Sequence, residues 1–151
     1  MVRSRDRRLA STLPAVTSDT HPVEGNWYDK NVVHVMWKDQ GYDISGIDGY
    51  SVAWDTTSDT VPSASKTYEE TVHDATSSAL ADGSHYFHIR ARDNALNWNK
   101  TATHFGPVRI DTVAPDSVTI TINGGDGYTN SATVKLGLAA SDPSPGSGIA
   151  K

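Results

Sequence analysis

The sequence predicts an all-β fold: a two-sheet antiparallel sandwich of about seven strands, followed by the opening of a second copy. Three observations carry this. Residues 85–94 alternate with period two, placing Phe87, Ile89 and Ala91 on a face expected to be buried and His88, Arg90 and Arg92 on a face expected to be wet. Short apolar runs recur between stretches rich in Ser, Thr, Asp, Asn, Gly and Pro, the pattern of many strands joined by turns. Part of the pattern also repeats. Val33, Val35 and Trp37 line up with Val134, Leu136 and Leu138 at an offset of 101, and Ser45-Gly46-Ile47 recurs as Ser147-Gly148-Ile149 at an offset of 102.

Composition narrows the function classes. A chain of 151 residues is one ordinary domain, or a small sandwich with extra pieces, and 36% hydrophobic residues suffice for a modest core. The formal charge of -5 argues against nucleic acid as the main partner. The absence of cysteine excludes disulfides and thiolate metal sites, while leaving an extracellular setting open. No apolar run reaches the ~18–20 residues of a membrane span. Arg7-Arg8 suggests an export signal, but residues 9–16 are interrupted by Ser11, Thr12 and Pro14 and are too short and polar for an export core. Residues 1–20 are instead expected to be a disordered arm.

In chain order, residues 32–37 form the first firm strand, with Val33, Val35 and Trp37 on one face. A polar loop over 39–48 follows. Residues 49–55 form the second strand, where Tyr50, Val52 and Trp54 share a face. Residues 67–72 read as an edge strand guarded by Glu69 and Glu70. Residues 77–81 read as another short strand, carrying Leu80. The 85–94 strand lies at the centre. Residues 103–110 close the set, bent at Gly106-Pro107, where proline fits only an edge or a bulge. The expected core is Trp37, Tyr50, Val52, Leu80, Phe87, Ile89 and Ala91, with Val108 and Ile110 from the last strand. Domain bounds follow: a sandwich over 21–111, a linker over 112–116, and the first two strands of a second repeat over 117–151. Two strands cannot bury an inner face alone, so the chain is expected to be a piece of a longer modular protein or a truncated frame.

At Trp37, Tyr50, Leu80 and the run Phe87-His88-Ile89-Arg90-Ala91, the sequence resembles the fibronectin type III class of immunoglobulin-like sandwiches, in the versions carried by bacterial and archaeal secreted and cell-surface proteins. The likeness spans most of residues 30–110. Relatives often place a Tyr at the start of the central strand, tying the corner through its hydroxyl. Parity puts His85 there, with Tyr86 one place off. Either His85 caps the corner or a bulge turns Tyr86 inward. Leu96 stands where relatives commonly carry Gly, and a left-handed backbone would be strained there.

Chemistry-bearing residues are sparse in motif. Six histidines are present, and His88 and His104 approach each other if the central and last strands pair. No His-x-His or His-x-x-x-His spacing occurs, so no metal site is predicted from spacing. No Gly-x-Ser-x-Gly nucleophile motif or phosphate-cradling Gly loop occurs either. Asp39, Asp43 and Asp48 fall in one loop, with Asp93 near, and oxygen-rich loops suit calcium; the plainer role is turn formation. Trp27, Tyr28, Trp54 and Trp98 offer stacking faces for a sugar, if they are exposed. No cofactor and no catalytic residue are expected. The expected role is a non-catalytic spacer or protein-binding module of an extracellular or cell-surface protein, with neighbouring repeats, a surface protein or a polysaccharide as partner. The alternative is a carbohydrate-binding accessory module of a secreted glycan-degrading enzyme.

Overall fold

The computed structural model describes residues 13–41 and 44–150. Its described residues form ten strands: β1 (Ala15–Ser18), β2 (Trp27–Tyr28), β3 (His34–Lys38), β4 (Ile47–Asp55), β5 (Tyr68–Glu69), β6 (Asp74–Thr76), β7 (Gly83–Asp93), β8 (Thr103–Ile110), β9 (Asp116–Ile122) and β10 (Leu136–Ser141). Three strands in the order β1-β3-β6 make one sheet, and five in the order β2-β8-β7-β4-β5 make the other. The architecture is all-β and consistent with a β-sandwich. Strands β9 and β10 form a separate antiparallel pair.

β7 is the middle strand of the larger sheet, flanked on both sides by antiparallel partners. Its odd-numbered side chains Phe87, Ile89 and Ala91 are fully buried. They join Tyr50, Phe105, Val108 and Ile110 from the same sheet, Val35, Trp37 and Ala75 from the smaller one, and Val33 from the chain just before β3. Val52 and Leu80 pack against this core half-buried. Trp37 bridges the layers, its ring 5.5 Å from Tyr50 and 6.1 Å from Phe87.

Four local expectations need correction. Residues 13–20 are not a disordered arm: Ala15–Ser18 pairs antiparallel with β3, setting Val16 opposite Trp37. Four residues are too few to show alternation, and the open edge of β3 supplies the order. Residues 1–12 lie outside the described residues. The short strand expected at 77–81 lies earlier, at Asp74–Thr76, because Ala75 is small enough to sit buried opposite Val35. Leu80 follows in irregular chain, held by its N–H on the carbonyl of Asn31 at 2.8 Å. The edge strand expected at 67–72 shortens to Tyr68–Glu69. Finally, the second face of the larger sheet is not uniformly wet. Loop 56–65 lies against part of it, with Pro62 buried and Ser51 Oγ donating to the Ser63 carbonyl at 2.7 Å, and both Ser51 and His88 on this face are buried.

The corner at the start of β7 is made by His85, whose ring Nε2 bonds the Ala81 carbonyl at 2.7 Å. The register between β7 and β8 does shift between His85 and Phe87, but Tyr86 stays off the core and stacks on His88. Pro107 lies in β8 opposite this irregularity, where no regular ladder bond is required of it.

The β9–β10 pair repeats the β1–β3 pair in direction and in sequence. The counterparts of buried Val35 and Trp37 are Leu136 and Leu138, placed by register opposite Ile122 and Ile120. Tyr128, one hundred positions after half-buried Tyr28, is 98% exposed. Val118, Ile120, Ile122, Leu136 and Leu138 are all exposed, Val118 at 77% and Leu138 at 75%.

Candidate functional site

The larger sheet places one polar cluster on its covered face. Antiparallel register sets His88 on β7 directly opposite His104 on β8. It also sets Asp55, the last residue of β4, opposite Tyr86 and thus diagonal to His88, within side-chain reach. His88 Nδ1 lies 2.7 Å from His104 Nδ1, and His88 Nε2 lies 3.1 Å from Asp55 Oδ1. His88 is fully buried, Asp55 is half-buried and His104 is exposed, so buried His88 lies between a half-buried carboxylate and a solvent-facing ring. Burial pushes the Asp55 carboxyl up. Hydrogen bonds from Thr60, the Thr57 N–H and His88 outweigh it and hold the group below the ordinary carboxylate value. Asp55 is therefore an anionic acceptor at neutral pH.

The sequence singles out His88 and His104 conditionally, and the strand pairing brings them together. Asp55 is missed. Its role depends on the β4–β7 register, and the only available signal was its place at the end of an alternating strand.

The four candidate stacking rings sit apart, and no ring contact joins any two of them among the described residues. Trp54 packs on Phe87 with ring centres 4.8 Å apart. Tyr28 packs on the core, and its hydroxyl bonds both the N–H and the carbonyl of Val23 at 2.9 Å. Arg109 lies 5.8 Å over Trp27, and Arg90 and Arg92 lie 5.1 and 5.2 Å from the Trp98 ring centre. Three indoles thus already face apolar or cationic groups of the chain itself.

The acidic residues are also engaged by protein donors. Asp39 accepts from the Tyr50 hydroxyl at 2.8 Å. Burial first, then this anion, pushes the Tyr50 phenol well above its ordinary value. Asp48 pairs with Arg92, whose Nε donates at 2.7 Å, and with Lys66 at 3.5 Å. Asp93 Oδ1 takes the Asn97 N–H at 2.7 Å, the turn-making role. Asp43 lies outside the described residues. On the smaller sheet His34 lies between Asp19 at 2.8 Å and Asp74 at 3.4 Å. Among the described residues, no group of three or more His, Cys, Asp or Glu is arranged to hold a metal ion. None of their helices is long and apolar enough to cross a membrane.

Comparison with protein-family models, with curated proteins and with solved structures finds no match to this chain. The class that the coordinates define is an all-β, multi-sheet module with a two-stranded appendage.

Proposed function

We propose that the chain is a non-catalytic spacer or protein-binding module of a larger extracellular or cell-surface protein, built on the fibronectin type III plan. The division of strands supports the plan. Strands β1, β3 and β6 fall in one sheet and β4, β5, β7 and β8 in the other, a division like that of immunoglobulin-type sandwiches, with the two-residue β2 added parallel to β8 at the edge of the larger sheet. One observation carries the modular reading. The first sheet of the sandwich starts over again as β9–β10, with the counterparts of its buried side chains exposed. A two-stranded ribbon is marginal in water, so its apolar face is a surface for contact with another β-layer. The module then spaces its neighbours, and the sandwich core supplies the rigidity.

Replacing Ile120 and Leu138 by Thr tests the modular half. The parent chain is expected to bind a hydrophobic dye and to self-associate as concentration rises. The variant should do neither, while the sandwich melts at the parental temperature. A fall in that melting temperature would make the ribbon part of the first domain and defeat the reading. Turnover of any polymer by the purified chain, or specific retention on a glycan array, would replace the spacer role with an enzymatic or sugar-binding one.

A further inference from the structure

We propose that His88 and His104 form a binding site for one transition-metal cation of the Zn²⁺, Ni²⁺ or Cu²⁺ kind, with Asp55 orienting His88 from behind. The argument begins with proton positions. A carboxylate only accepts, so the ring nitrogen of His88 facing Asp55, Nε2, carries a hydrogen. The neutral ring then has its lone pair on Nδ1, aimed at His104. A carboxylate fixing the far nitrogen of a histidine is the usual support behind a metal-binding imidazole.

His104 completes the pair from the exposed side. When its hydrogen sits on Nε2, its Nδ1 presents a second lone pair to the same point. In that tautomer the two lone pairs converge on one space, which a cation can fill. In the other tautomer His104 Nδ1–H donates to His88 Nδ1, and this hydrogen bond accounts for the present 2.7 Å separation. A metal at ~2.0–2.1 Å from each nitrogen needs the nitrogens about 3.3 Å apart at a tetrahedral angle. The rings therefore have to part by roughly 0.6 Å. His104 is exposed and free to yield that much, whereas His88 is held by Asp55 and by the Tyr86 ring stacked 6.3 Å away.

Two imidazoles without thiolate or a carboxylate cage favour borderline d-block ions over Ca²⁺ or Mg²⁺. Water fills the remaining positions on the His104 side, which makes the site open to a further donor. His34 is a different case. Both its ring nitrogens face carboxylates, so neither lone pair is presented to an ion.

Calorimetric titration of the whole chain with Zn²⁺ in a non-chelating buffer tests this, alongside H104Q and D55N. The parent is expected to bind one equivalent, and Cu²⁺ in its place to give an electron-paramagnetic signal split by two nitrogens. H104Q changes only an exposed side chain and should lose that equivalent. D55N should weaken it by ~10-fold or more. No binding by the parent up to millimolar Zn²⁺ would overturn the site, as would equal binding by H104Q. Full affinity in a folded D55N would overturn the role given to Asp55.

Discussion

His85 Nε2 stands 2.7 Å from the carbonyl oxygen of Ala81 and ties the chain entering β7 to the turn before it. The carbonyl accepts, so Nε2 donates. Net of water exchange, such a bond contributes about 0.5–1.5 kcal/mol. His85→Ala is expected to lower the unfolding free energy by about 1 kcal/mol, seen as a lower urea midpoint at an unchanged slope. No shift in the midpoint would remove the corner role.

Leu96 holds φ 67° and is 64% exposed, in the turn where its N–H bonds the Asp93 carbonyl at 2.9 Å. A side chain in the left-handed region costs about 1–2 kcal/mol, and Leu96 buries little to offset it. Leu96→Gly should therefore stabilise the protein by about 0.5–1 kcal/mol after the extra entropy of glycine is subtracted. A melting temperature that falls on this change would contradict the turn geometry.

Phe87 is fully buried, with Trp37 and Trp54 rings at 6.1 and 4.8 Å. Phe87→Ala leaves a cavity between the layers, and Trp37→Ala opens the same seam from the other sheet. Each is expected to cost ~3–5 kcal/mol in denaturant melts. A loss below about 1 kcal/mol for either would displace the core from this seam.

Two ion pairs respond to pH in opposite senses. The Arg92 hydrogen bond, with Lys66 beside it, holds the Asp48 carboxyl below its ordinary 3.8. Its stabilisation is present above that value and is lost as pH falls through the lower native one. Asp48→Asn should thus flatten the acid limb of a melting-temperature profile. His34 is raised above 6.5, chiefly by its bond to Asp19 and then by Asp74. Its contribution is complete below 6.5 and fades as pH rises through the higher native value. His34→Gln should flatten that region and, because His34 also holds the Asp19 carboxyl below its ordinary 3.8, flatten part of the acid limb as well. Parallel profiles for parent and variants would show that the pairs contribute nothing.

The long strands β3, β4 and β7 were legible because alternation over five or more residues marks both the strand and its buried face. Strands β1, β2 and β6 were not. Ala15–Ser18, Trp27–Tyr28 and Asp74–Thr76 are too short or too polar to show a period, and each exists because a distant strand offers an edge. The polar cluster was half legible. His88 and His104 could be paired on paper once their strands were assumed neighbours, while Asp55 reached His88 only through a diagonal across β4 and β7. His88 also looked wet, since nothing local says that this part of the polar face is covered.

Read alone, the 151 letters settled which side chains turn inward along each long strand, and that the chain restarts the same pattern near residue 117. These are properties of contiguous chain, where the pleat puts every second side chain on one side. Only the folded arrangement decided what faces what: that His88 meets His104, that Trp37 reaches Phe87, and that the second pair of strands keeps its apolar face open. Such contacts join residues far apart in sequence. They depend on register and on which edge each strand finds, and a local pattern carries neither.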